Sequence, residues 1–138
     1  MLEKQLIEHC SPTLASLKTA NLFTYRYAEE EGLMESVSQW NRRMGAKGIR
    51  MAVLKKKDGM ALVYVCRVAR LLEDMKKPGT AEFLKWCGYE DTDPEKALIR
   101  LSRRLSESDQ FPHEIGLFLG YPLGDVIGFM ANAGKNYK

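Results

Sequence analysis

His113 and Glu114 are the pair of side chains with the strongest claim on chemistry. They sit side by side in residues 111–129, an apolar stretch rich in glycine, whose few polar or amphipathic positions are His113, Glu114, Tyr121 and Asp125. An imidazole beside a carboxylate suits a general acid–base couple or two metal ligands. The competing reading is the polarity of a helix first turn, with Glu114 favoured by the helix dipole and His113 partly exposed. No third ligand lies close in sequence. His9-Cys10 is the second such pair. A cysteine just ahead of a helix start gains acidity from the dipole, and its thiolate would act as a nucleophile or as a ligand to iron or haem. Against this, sequence neighbours need not face each other, and a free cysteine is commonly a small core residue. Cys10 is followed by Ser11, not by the proline of the Cys-Pro dipeptide associated with haem sensing.

Other patterns are weaker. There is no Cys-x-x-Cys and no His-x-x-x-His, which argues against a structural zinc site. Gly116, Gly120, Gly124 and Gly128 recur every four residues, but 120–124 lacks the lysine and the hydroxyl of a nucleotide-binding loop. Close packing and turn geometry explain these glycines better. Lys96, Arg100, Arg103 and Arg104 form a basic stripe, and Lys55-Lys56-Lys57 a second basic patch, so nucleic-acid binding is one alternative function. The last expected helix, however, carries Asp125 and Asn132 and no cation before Lys135, whereas a DNA-reading helix brings positive charge near its start. A solvated face is the default for such a stripe. Trp40 and Trp86 sit among apolar neighbours and read as core.

The elements that must position these residues are legible in part. Residues 2–9 form a short helix with Leu2 and Leu6 on one face, and Ser11-Pro12 restarts the chain as cap and first helical position, with Leu14 and Leu17 inward. Residues 21–27 alternate as a strand through Phe23, Tyr25 and Tyr27. Leu33, Val37, Trp40 and Met44 recur at helical spacing behind the acidic run Glu29–Glu31, and Gly45 and Gly48 follow. Residues 49–54 and 60–67 are two strands joined at Asp58-Gly59, a favoured pair for a tight hairpin, and the nearly apolar second strand belongs in the middle of a sheet. Val68, Leu71, Leu72 and Met75 begin a helix that stops at Lys77-Pro78-Gly79. Thr80 caps a short helix closed by Gly88, and Asp93-Pro94 opens another with Ala97, Leu98, Leu101 and Leu105 inward. In residues 112–130, helix–turn–helix is favoured over an alternating strand at 115–119, because Pro-x-Glu and the Gly-Tyr-Pro break are helix punctuation.

The expected fold is therefore α+β, one domain over residues 1–138, with about three strands covered by several helices and a C-terminal helix–turn–helix. At 138 residues, 45% hydrophobic, 28% charged and a net charge of +3, the chain has a domain's core and permits an anionic partner without requiring one. The polar start Met1–Gln5 is unlike a secretory signal, and no run approaches the ~18 apolar residues of a membrane span. Cys10, Cys66 and Cys87 are odd in number and far apart, which fits a reducing cytoplasm.

The blocks 9–15, 18–23, Trp40-Asn41 and above all 113–122 with Asp125-Val126 resemble an uncharacterised bacterial family, the domain of unknown function numbered 3793, found mainly in anaerobic Gram-positive organisms. The resemblance runs from about residue 5 to the end. It implies a Trp- and Cys-containing tail beyond this point in many members, and thus a short or truncated chain here. It brings no established activity, only a loose association with iron-uptake and flavodoxin-containing neighbourhoods. With it, the expected ligand- or partner-binding surface combines Thr13, Lys18 and Asn21 with His113, Glu114, Tyr121 and Asp125. The leading expectation is a small binding or accessory protein without its own catalysis, taking a protein partner or a small ligand. The alternative is an iron- or haem-handling protein using His9, Cys10 and His113.

Overall fold

Asp58 and Gly59 both take positive φ, 53° and 77°. Two such residues in a two-residue loop make the mirror-image turn whose twist matches paired strands. In the computed structural model, which describes residues 2–14 and 18–134, this turn joins β2 (Ile49–Lys57) to β3 (Met60–Arg67), with Lys57 opposite Met60. β1 (Ala20–Arg26) pairs with the other edge of β3, so the antiparallel sheet has the order β1-β3-β2. The central position of β3 explains its composition: Ala61 to Cys66 are buried without interruption. The register of β2 slips between Val53 and Lys55, a local irregularity at Leu54. Gly59→Val places a β-branched residue at a left-handed position, so urea denaturation should show a loss of about 1–3 kcal/mol. An unchanged midpoint would contradict the turn.

The chain divides into two compact units, Met1–Arg70 and Leu71–Lys138. In the first, α1 (Leu2–Leu14) and α2 (Glu30–Met44) accompany the sheet. Leu2, Leu6, Cys10, Leu33, Val37, Trp40, Phe23, Met51, Val63 and Val65 belong to one apolar cluster. α2 carries Glu30 and Glu31 in its first turn and Arg42 and Arg43 in its last, as the helix dipole favours. The Asn41 amide donates to the Met51 carbonyl at 2.9 Å and accepts from the Met51 N–H at 2.8 Å, tying α2 to strand β2.

The expected restart at Ser11-Pro12 is not observed. α1 is one helix through Leu14, and the Ser11 hydroxyl donates to the Ile7 carbonyl one turn back. Proline removes a single ladder bond there, close to the helix end. The stripe Leu2, Leu6, Cys10, Thr13 stays buried throughout and holds the helix in place. Leu17 lies outside the described residues.

The second unit is helical: the end of α3 (Val68–Met75), α4 (Thr80–Trp86), α5 (Pro94–Glu107), α6 (Ile115–Phe118) and α7 (Leu123–Asn132). Asp93 caps α5 by accepting from the Lys96 N–H at 3.3 Å, with Pro94 as the first helical residue. Thr80 does not cap α4. Gly79 holds that position, and Thr80 is the first helical residue, buried. The helical reading of the last segment holds, but α6 is a single turn. Gly120, at φ 95°, closes it: the Tyr121 N–H reaches the Gly116 carbonyl at 3.0 Å and the Gly120 N–H reaches Leu117 at 3.2 Å, the two bonds of a Schellman cap. A Cβ on Gly116 would come within 3.0 Å of Val126 Cγ2 and 3.2 Å of Tyr121 Cδ2, whereas Gly124 and Gly128 have open space. The four-residue glycine spacing is therefore no continuous groove. Among the described residues no helix is long and apolar enough to cross a membrane.

Candidate functional site

The site begins with a carboxylate that the fold removes from water. Glu114 precedes α6, in the turn after Pro112, and is 2% exposed. Arg104, on α5, presents its guanidinium to it: Nε donates to Oε2, and Nη2 to Oε1 at 3.3 Å. The Tyr89 hydroxyl also donates to Oε2, at 3.1 Å. A two-pronged guanidinium–carboxylate pair is strong and geometrically exacting. Burial and the adjacent Glu114 charge push the Tyr89 hydroxyl well above its ordinary pKa. The Tyr89 ring also packs against Phe118, centroids 5.8 Å apart. Burial first, then Glu114, pushes the Cys87 thiol up to about 12.

An open cleft of about 430 Å³ lies over this pair. Trp86, Cys87, Phe111, His113 and Met130 line it together with Arg104 and Glu114. Trp86 and Phe111 are 54% and 57% exposed. His113 and Glu114 thus reach one cleft in different roles. Glu114 is engaged by Arg104 and Tyr89, so it is no free base for His113. Tyr121 and Asp125 do not line this cleft. Tyr121 packs over Gly116, and Asp125 sits exposed in the first turn of α7. The expected convergence of all four is not what the turn at Gly120 produces.

In the first unit, Thr13 and Asn21 satisfy each other. The buried Thr13 hydroxyl donates to Asn21 Oδ1 at 2.7 Å. Arg67 closes the end of α1, donating to the carbonyls of Thr13 at 3.0 Å and of Leu14, and to Lys47 at 3.1 Å. Lys18 is half-buried, and its charge bears on Cys10. These contacts give Thr13 and Asn21 a scaffolding role. His9 is exposed and stacks on Phe23, centroids 5.4 Å apart. Cys10 is fully buried, and burial pushes its thiol up to about 12. It stands within α1 rather than ahead of a helix start, so the dipole argument for a thiolate does not apply. His9 and Cys10 diverge by about 100° around the helix and do not act as a pair. Among the described residues no group of three or more His, Cys, Asp or Glu is placed to hold a metal ion. Iodoacetamide should modify Cys10 only after denaturation; rapid labelling of the native protein would contradict its burial.

A sequence model described as "Protein of unknown function (DUF3793)" matches residues 6–138. The chain belongs to the DUF3793 family. No curated protein and no solved structure matches it.

In this DUF3793 chain the basic stripe divides. Arg104 turns to Glu114, while Lys96, Arg100 and Arg103 line a different cavity. Trp86, expected in the core, stands at the rim of the cleft. Sequence reasoning gave no site or positioning role to Tyr89, Cys87, Phe111, Asn41 or Arg67. For Trp86 a signal existed: it follows Lys85 at the end of a short helix whose inward positions are filled by Phe83 and Leu84.

Proposed function

We propose that this DUF3793 protein is a cytoplasmic binding protein without catalysis of its own, and that its ligand is a small organic molecule held in the cleft over Arg104 and Glu114. The observation that carries this reading is the combination of a cleft of about 430 Å³ with two aromatic side chains left exposed at its wall. That volume lies within the ~300–1,000 Å³ of small-molecule sites, which combine apolar walls with a few fixed polar groups. Trp86 and Phe111 offer faces for a flat or apolar group, and His113 offers a donor or acceptor. The carboxylate beneath is saturated by Arg104 and Tyr89 and serves as rigid floor. Cys87, which shares the lining with His113, keeps its proton near neutral pH, which disfavours a thiolate–imidazole nucleophile. Cys10, Cys66 and Cys87, far apart in sequence and in no disulfide, agree with a reducing compartment.

Tryptophan fluorescence tests the reading. Titration of the full chain with benzamide, an uncharged aromatic probe, should give a saturable change in emission that Trp86→Phe removes. A linear response, or one that survives Trp86→Phe unchanged, would refute it.

A further inference from the structure

We propose a second binding site in the C-terminal unit, one that takes a small molecule through a single phosphate group. It is a cavity of about 700 Å³ formed by one face of α5 and residues 88–91. Lys96, Arg100 and Arg103 line it, at helical spacings of four and three that bring them to one face. They are not equivalent. Lys96 Nζ is 3.4 Å from Asp91 Oδ2, and Asp91 Oδ1 accepts the Asp93 N–H at 2.8 Å. Lys96 and Asp91 neutralise each other and stiffen the rim. Arg100 and Arg103 have no ion-pair partner among the described residues.

Arg100 carries the argument. Its guanidinium lies over Gly88, where a Cβ would stand 3.4 Å from Nη2. Gly88 is at φ +102°, a left-handed position that suits glycine and leaves that space open. Arg100 Nε is buried and has no acceptor among the described residues. Buried donors, charged ones above all, are normally satisfied, so one left unpaired beside an open cavity points to a missing acceptor. A phosphate offers several oxygens to a planar guanidinium fork, and Arg103 one turn along supplies a second cation. Ile99, 55% exposed in the same lining, offers apolar contact to an organic group attached to that phosphate.

The occupant is one phosphate group rather than a nucleic-acid backbone. Glu90 and Asp91 share the lining with the three cations, so the local excess of positive charge is small. An extended polyanion would meet both carboxylates, and Arg104 has left the stripe for Glu114. A single phosphate monoester with an apolar substituent is small enough to engage Arg100, Arg103 and Ile99 without spanning both carboxylates.

The test uses the full chain, amide-resolved NMR and three probes: inorganic phosphate, phenyl phosphate and a short DNA duplex. Phenyl phosphate should shift residues 88–91 and 96–103 saturably and bind more tightly than inorganic phosphate. Arg100→Gln should weaken it by about tenfold or more, with the melting temperature preserved. Arg103→Gln gives a second reading should Arg100→Gln misfold, and is expected to weaken the same probe severalfold. Lys96→Gln should matter little. The proposal is overturned by no saturable shift up to about 10 mM phenyl phosphate, by unaltered affinity in both arginine variants, or by DNA binding more tightly than phenyl phosphate on the same residues.

Discussion

Arg104→Met is expected to cost about 3–5 kcal/mol of folding stability, the range for breaking a buried ion pair by removing one partner. The loss comes from what is left behind. Glu114, 2% exposed, would be left buried with only the Tyr89 hydroxyl as donor. Glu114→Gln should cost less, about 1–3 kcal/mol, because the amide keeps an acceptor for Tyr89 and the Arg104 side chain, 30% exposed, finds water. The double change Arg104→Met with Glu114→Leu should recover much of the single loss, since an apolar pair leaves no stranded charge. Urea denaturation of the three variants decides the matter. Equal losses for both single variants, or a negligible one for Arg104→Met, would mean that the pair is solvated and the cleft has no rigid floor.

The second large effect is alkaline destabilisation. Burial raises Cys10 from 9.0 to about 12 and Cys87 likewise, and raises Tyr89 above its ordinary value. A group whose pKa is higher in the folded state contributes its stability in full below the unfolded pKa. It loses that contribution as pH climbs toward the folded value. Stability should therefore be level near neutrality and fall once pH passes about 9. For Cys10, which is fully buried, the interval from 9.0 to about 12 corresponds to about 4 kcal/mol in total. Cys10→Ala should flatten part of the alkaline fall, at the cost of a small cavity. Urea midpoints that hold constant up to about pH 11 would show that these thiols are hydrated.

The parts of the fold legible in sequence are those fixed by local stereochemistry. Asp58-Gly59 marks the hairpin because few other pairs accept two positive φ values. Asp93-Pro94 marks the start of α5 because one residue supplies the cap and the next a preset φ. The apolar run of β3 places that strand centrally because only a strand buried on both faces needs one. What stays hidden depends on residues distant in sequence. Pro12 reads as a break by itself, yet the buried stripe of α1 outweighs one lost bond. Arg104 reads as part of a basic face, since nothing in its own helix shows that Glu114, ten residues on, takes its charge. Glu114 reads as the partner of His113 because adjacency in sequence imitates contact. Trp86 reads as core because hydrophobicity reports a preference for burial and not the direction of a side chain.

The cleft is tested most directly by amide chemical-shift mapping of the full chain against benzamide. Perturbations are expected at residues 86–87, 107–114 and Met130, with saturation. They should vanish in Trp86→Ala while the dispersion of the remaining spectrum is retained. Saturable perturbations centred on other residues, or a spectrum that does not respond at all, would contradict the assignment of this cleft as the ligand site.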